Sequence, residues 1–348
     1  MGTAADQPAC EGCGAPLLTS TEATTRGRGR PARYCNDACR ARAYRARKAG
    51  RRRALPAMAA AHLVLADARA LPLPDASMDL IVTSPPYFAQ RSYGGSGEDL
   101  PGQIGCEPSP EAYLDAMWEC TAEWARVLKP SGSMFVLLGD KYVGAPSGAV
   151  QGGACGAGSE HDRKRGRSQI APKRHKVTTT VPNKSLLGLP WRYAIGAVDR
   201  LGLVHRAEMI WHKLNPMPES VADRVARAHE TVFHFTRGPR YWHDPEHARL
   251  PSVWTVPTTP LRLPAELEDA RHFAAMPEAL PRRLILGYAP PLGIVLDPFG
   301  GTGTTAAAAK ALGRVGISAD LSPAYTRLAA WRSQTLPDTV RRRATTRR

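Results

Sequence analysis

Apolar residues in this chain gather into short runs that end on an acid or on proline. HLVLAD at 62–67 is one such run, closed by Asp67, and DLIV at 79–82 repeats it just ahead of Thr83-Ser84-Pro85-Pro86-Tyr87. GIVL at 293–296 leads into Asp297, and VGISAD at 315–320 ends on Asp320. Short aliphatic and β-branched runs without polar alternation predict strands buried on both faces of a parallel sheet. Between the last two runs, TTAAAAKALGR from Thr304 onward reads as a helix with an alanine-rich face. Strands alternating with helices predict an α/β fold.

What ends these runs carries the candidate chemistry. Two consecutive prolines cannot continue a central strand, so the chain must leave the sheet after Thr83. Ligands of open α/β sheets bind in the crevice beyond the carboxyl ends of the strands. A Pro-Pro turn there can expose main-chain carbonyls, with a serine oxygen and an aromatic ring beside them. An exocyclic amine would supply two N–H donors to such a turn, and a flat base would supply a face for Tyr87. An ordinary strand-ending turn is the alternative.

The second turn, Asp297-Pro298-Phe299-Gly300-Gly301-Thr302-Gly303, is glycine-rich and opens onto a helix N-terminus with unpaired N–H groups. Many nucleotide sites share such a turn, but the Lys-Ser/Thr pair of a phosphate-cradling loop is missing. Asp320, seventeen residues after Gly303, is placed to bind ribose hydroxyls. The pattern predicts an adenosine-type site with no diphosphate requirement.

Length and charge set the frame. The 348 residues, 43% of them apolar, suffice for one large α/β domain with a small appendage. No run of about 18 apolar residues predicts a membrane span. The N-terminus lacks a basic segment followed by an apolar one, and Met1-Gly2 alone is a weak acylation signal. A cytoplasmic protein is expected. The net charge of +16 is unevenly spread: +8 over residues 1–53, +7 over 161–184 and +5 over the last ten, leaving a body of −4. A mildly acidic body carrying three basic segments suits a polyanionic partner, solvated tails being the alternative.

Four of the seven cysteines cluster: Cys10 and Cys13, then 21 residues, then Cys35 and Cys39. Two close thiolate pairs separated by a loop can build a tetrahedral zinc site, and the second spacing is a near-helical step. A segment this small cannot bury enough apolar surface to fold alone, which also favours a metal. Reduced, unliganded cysteines remain the alternative. Residues 1–53 thus read as a basic zinc-binding module, 54–61 as a linker, 62–335 as the catalytic domain and 336–348 as a basic tail. Within the domain, 141–184 reads as an inserted loop. It is glycine- and alanine-rich first and then basic, with Arg163, Lys164, Arg165, Arg167, Lys173, Arg174 and Lys176 expected to meet DNA, or to form a bare surface loop.

TSPPY and DPFGGTGTT together make the chain resemble the DNA methylase N4/N6 family, in the arrangement where the base-binding motif precedes the cofactor motif. PNKSLLGLPWR at 182–192, WHKLNPMPES at 211–220, AHETVFHFTRGPRYWHD at 228–244 and HFAAMPEALPRRLI at 272–285 extend the resemblance over roughly 62–333. The resemblance implies a circularly permuted, Rossmann-like methyltransferase fold, with helices on both faces of a mostly parallel sheet. It implies that Asp297, Phe299, Gly300, Gly301, Gly303 and Thr304 line the S-adenosylmethionine site. Asp320 would hold the ribose, Asp67 would lie near the adenine amine, and His272 to Pro277 would cover the methionine end. Ser84, Pro85, Pro86 and Tyr87 would hold the target base, stacked on the Tyr87 ring, so that phenylalanine is expected to serve at 87.

The family tends to pair Ser-Pro-Pro with cytosine amines and Asp- or Asn-Pro-Pro with adenine amines, so N4-methylcytosine is the expected product and N6-methyladenine the alternative. The base must leave the duplex to reach such a pocket. Double-stranded DNA is the expected partner, together with a possible cognate restriction endonuclease. Methylation of RNA or of a protein amide uses a similar turn, but the motif order and HKLNPMPES argue against both. A zinc-bearing DNA-binding protein with an inactive methylase body is disfavoured by the intact Asp297, Asp320 and Ser84–Tyr87.

Overall fold

The computed structural model describes Cys10, Cys39, and residues 59–90, 100–144, 178–216, 219, 222–258, 261, 263, 266, 267 and 275–345, with side chains to residue 334. The chain divides into two compact units, Met1–Leu55 and Pro56–Arg348. In the first, Cys10 and Cys39, one from each cysteine pair, are buried and pack together, and Cys39 is helical. Cys13 and Cys35 lie outside the described residues.

Eight described strands of the second unit form one sheet: β1 Ala61–Leu65, β2 Met78–Thr83, β3 Leu128–Leu138, β4 Val204–His212, β5 His229–Thr236, β6 Val253–Thr255, β7 Ile294–Asp297 and β8 Val315–Asp320. Their order is β1-β8-β7-β2-β3-β5-β4-β6. Only β5 runs against its neighbours; every other pairing is parallel. The four runs read from the sequence are β1, β2, β7 and β8, and they sit side by side with β3. The chain thus enters the sheet at one edge, and its last strand, β8, returns to pair with its first.

The helices are α1 Pro110–Val127, α2 Leu189–Leu201, α3 Ala279–Tyr288, α4 Thr304–Ala311 and α5 Pro323–Thr345. Successive strand residues face opposite sides of the sheet, and two cores follow. Ile81, Met134, Val136, Leu138 and Leu296 pack with α1 and α2 residues such as Met117, Trp124 and Tyr193. Leu80, Val82, Phe135, Leu137 and Val295 pack with Leu280, Leu284 and Ile285 of α3 and with Ala308 and Ala309 of α4. Helices therefore cover both faces, which is why the strands read as continuous apolar runs. Ser109 caps α1 by accepting the Ala112 N–H, and Pro110 follows at its first turn. The helix α5 runs to Thr345, through most of the 336–348 stretch read as a tail. No helix among the described residues is long and apolar enough to cross a membrane.

The alanine face of α4 lies hard against β8. A Cβ on Gly316 would stand 2.4 Å from the Ala306 carbonyl oxygen and 2.6 Å from its Cα, both backbone atoms that cannot swing aside. Gly316→Ala is therefore expected to cost about 1–3 kcal/mol by overpacking, read as a lower urea midpoint at unchanged m-value; an unchanged midpoint would mean that α4 stands off the sheet.

Candidate active site

All the parallel strands deliver their carboxyl ends to one edge of the sheet, and the candidate residues collect there. β2 and β7 are adjacent, with Leu80 opposite Val295 and Ile81 opposite Leu296. By that register Asp297 falls opposite Val82, so the proline turn and the glycine turn leave the sheet from neighbouring strands. β8 lies beyond β7 and β1 beyond β8, with Leu65 opposite Asp320. The row of strand ends thus runs Asp67, Asp320, Asp297, Ser84, and the order comes from pairing between segments remote in sequence.

Asp297 is buried and turned toward its own loop. It accepts the Phe299 N–H at 3.2 Å and the Thr305 hydroxyl at 2.8 Å. Burial pushes its carboxyl up to about 6, against the opposing pull of Thr83, Thr305 and the Phe299 N–H. Its side chain holds the glycine turn in shape, tying strand end to helix start. The glycines have packing reasons beyond close approach to a ligand. A Cβ on Gly300 would fall 1.8 Å from Ser318 Oγ, and one on Gly303 would fall 2.7 Å from Ala329 Cβ. Gly303 also has φ +71°, the left-handed conformation that ends the turn and starts α4. Thr304 is buried, its hydroxyl 2.9 Å from that of Thr302. Phe299 meets Trp124 edge to face at 5.8 Å.

Asp320 accepts one N–H on each oxygen, from Gly301 and from Ser322, both at 2.8 Å. Each oxygen keeps a further lone pair for a hydroxyl. Asp67 binds Arg69 through Nε at 3.0 Å and Nη2 at 2.7 Å, a side-on pair that lowers its carboxyl below the usual range. Arg69 in turn donates to the Gly102 carbonyl at 3.1 Å. Two carboxylates beside a glycine turn would repel a phosphate and would suit a ribose diol, an amine and a positively charged ligand. The residues present therefore fit the neutral nucleoside and sulfonium of S-adenosylmethionine, which has no phosphate. His272 lies outside the described residues, as do Arg163, Lys164, Arg165, Arg167, Lys173, Arg174 and Lys176.

At the proline turn, Tyr113 donates its hydroxyl to the Pro86 carbonyl at 2.9 Å. The Pro85 carbonyl is not consumed in this way among the described residues. The Tyr87 ring lies on the backbone of Gly139, where a Cβ would come 2.6 Å from Tyr87 Cε2. The Tyr87 hydroxyl donates to Glu230 Oε2 at 2.6 Å, and Lys213 pairs with the other oxygen of Glu230. Burial, then the Glu230 charge, pushes the Tyr87 phenol well above its usual range, while a hydrogen bond from Ser84 pulls the other way. Lys141, just past β3, is buried and donates to the Ala89 carbonyl; burial lowers its ammonium to about 8.

Glu230, Lys213, Gly139, Tyr113 and Arg69 received no role from the sequence. Lys213 and Glu230 stand inside WHKLNPMPES and AHETVFHFTRGPRYWHD, strings that carried the resemblance without assigning work to any residue in them. Arg69, two residues past Asp67, carried no such signal.

Comparison with known proteins agrees with this geometry. Residues 78–330 match the model of the N6/N4 methyltransferase family, a DNA methylase. The chain is 34% identical over 272 residues to the type II methyltransferase M.XycI of Xanthomonas campestris pv. cyanopsidis, covering 75% of this chain and 83% of the relative. It is 33% identical over 263 residues to M.SmaI of Serratia marcescens, covering 72% and 82%. Among solved structures, the cytosine-N4-specific PvuII DNA methyltransferase superposes with TM-score 0.56 at 20% identity over 81% of this chain and 92% of that one. That likeness is one of fold. A putative DNA modification methylase of Thermus thermophilus, solved with S-adenosyl-L-methionine, superposes with TM-score 0.53 at 25% identity over 79% and 93%.

The buried Asp297 yields a pH test. A carboxyl raised above its ordinary 3.8 favours the native state while protonated. That contribution is full below about pH 4 and is lost as pH rises through about 6. Asp297→Asn removes the titration, so urea unfolding should show the variant gaining on wild type by up to about 3 kcal/mol between pH 4 and 7. A difference that stays flat with pH would show that the Asp297 charge is not buried as described.

Proposed function

The chain belongs to the N6/N4 DNA methylase family, and on that premise we propose that it moves a methyl group from S-adenosylmethionine to the N4 amine of a cytosine flipped out of duplex DNA. The observation that carries the reading is the pairing of β2 with β7, which sets the Pro-Pro turn beside a glycine turn that suits a nucleoside without phosphates. Bound S-adenosylmethionine supplies a methyl already activated on a sulfonium. Asp320 would hold its ribose hydroxyls, Asp67 would lie near its adenine amine, and Phe299, Gly300 and Gly301 would wall its methionine part, with His272 to Pro277 across that end.

The protein's remaining work is to place the amine in line and to stabilise the positive charge that develops on it. A base amine is a weak nucleophile because its lone pair is spread into the ring. The Ser84 hydroxyl and the Pro85 carbonyl accept its two hydrogens and draw the nitrogen toward sp³ character, while the Tyr87 ring stacks on the base. No thiol attack is involved, so no cysteine takes part in the chemistry.

Serine at 84 favours cytosine over adenine, and the cytosine-N4-specific PvuII enzyme shares the fold. Adenine N6 is the second reading, since its amine offers the same two donors. The glycine turn follows the proline turn in the chain, as in a circularly permuted methyltransferase. The basic stretch from Arg163 to Lys176 would track DNA phosphates. The relatives are type II methyltransferases, which suits a cognate restriction endonuclease as a functional partner and a cytoplasmic setting.

The burial of Cys10 against Cys39 supports a zinc site completed by Cys13 and Cys35. Elemental analysis of purified protein is expected to find one zinc per chain, lost in Cys35→Ser/Cys39→Ser; no metal and four titratable thiols would remove the site. For the reaction, nucleosides from DNA of expressing cells should include N4-methylcytosine. N6-methyladenine alone would move the target to adenine. 5-Methylcytosine would overturn the mechanism, because carbon methylation needs a nucleophile that the turn does not contain.

A further inference from the structure

The connection from β4 to β5 lies at the same edge of the sheet as the two turns, because β4 and β3 both run against β5 and end together there. It carries Val225, whose side chain is 85% exposed, more than any other large apolar side chain described. A single exposed valine is ordinary on a protein surface. This one stands on backbone that is pinned on both sides. Just before it, Arg224 lies over the Tyr142 ring at 3.7 Å, pairs with Glu219 at 2.6 Å and donates to the Val225 carbonyl at 3.2 Å. Asp223 pairs with Lys184 at 2.7 Å. Just after it, Arg227 donates to the Asp140 carbonyl at 2.6 Å, and the Ala228 carbonyl accepts the Lys213 N–H at 2.8 Å. The backbone at 225 is held while its side chain is left in water.

These pins lead to the proline turn. Asp140 follows Gly139, on whose backbone the Tyr87 ring lies. Lys213 pairs with Glu230, which accepts the Tyr87 hydroxyl. Arg227 meets a carbonyl and the Tyr142 ring, with no carboxylate among its described partners. An uncompensated cation thus stands two residues from the exposed valine, beside the ring expected to take the target base.

We propose that Val225 is a wedge that enters duplex DNA and fills the space left when the target base swings out. This rests on the amine-methyltransferase reading above, in which a base leaves the helix. Flipping a base costs pairing and stacking and opens a gap between two base faces. Apolar side chains that enter between base steps fill such gaps. Val225 then exchanges water for those faces, and a backbone already held loses little freedom in doing so. The Arg227 cation suits the phosphates that flank the gap.

The test uses full-length protein, tritiated S-adenosylmethionine and two synthetic duplexes that carry a site mapped in methylated genomic DNA. In one the target base is paired. In the other it faces a non-complementary base and so leaves the stack readily. Val225→Ala should leave the urea midpoint and cofactor affinity at their wild-type values, since the side chain is exposed. On the paired duplex its kcat/KM is expected to fall about tenfold, as for two methyl groups withdrawn from an apolar contact. On the mismatched duplex it should stay within about twofold of wild type, because opening the pair no longer limits the reaction. Val225→Leu keeps an apolar tip and should stay within about threefold on both.

An active wild type with Val225→Ala within about twofold of it on the paired duplex would overturn the proposal. So would equal losses on the two duplexes, which would make Val225 a contact outside the gap, or a loss in Val225→Leu as large as in Val225→Ala. A wild type that methylates no amine would remove the function and this inference together.

Discussion

The structure depends on the pairing of β2 with β7. The two strands lie far apart in the chain, and beside their register the Asp79 carboxylate accepts the Ile294 N–H at 2.8 Å across 215 residues. Everything chemical follows from that junction. It sets the proline turn that starts at Ser84 next to the glycine turn that starts at Asp297. The Thr305 hydroxyl reinforces it from α4, donating to Asp297 at 2.8 Å while lying 3.4 Å from the Val82 carbonyl of β2. A shift of this register by one residue would turn each strand's side chains to the opposite face and would mispack both cores at once.

Charge along the same edge is arranged by task. Asp297 is buried and holds the turn together. Asp320 takes one N–H per oxygen and keeps capacity for hydroxyls, and Asp67 is steadied by Arg69. Glu230 is balanced by Lys213 and faces the other half of the site. Carboxylates thus dominate the cofactor side, while the basic segments lie elsewhere in the sequence. That division suits a cationic cofactor on one side and a polyanionic substrate brought by other parts of the chain.

Much of this was legible in the residues. Four strands, the helix after the glycine turn and the two motif turns could be read because each is a local pattern: an aliphatic run, a proline pair, a glycine cluster. The resemblance carried the fold class for the same reason, since its motifs are contiguous strings. Glu230 and Lys213 were quoted within such strings yet stayed silent, because a lone acid and a lone lysine have no local pattern that distinguishes them from solvated charges. Gly300 was read as room for a ligand; its first reason is Ser318, a residue of a later strand.

By itself, then, the sequence determined which of its aliphatic runs are strands and where the chain must leave the sheet, and it is the source of the proposal that the two turns take an amine and a nucleoside. Those properties reside in backbone restriction and in the spacing of apolar residues, and they do not depend on what lies opposite. The tertiary structure alone decided which turn stands next to which, that Asp297 serves its own loop, and that the Tyr87 phenol is bound to a carboxylate 143 residues away. Each of those is a contact between remote segments, set by strand order and by the packing of both sheet faces, and no local pattern encodes it.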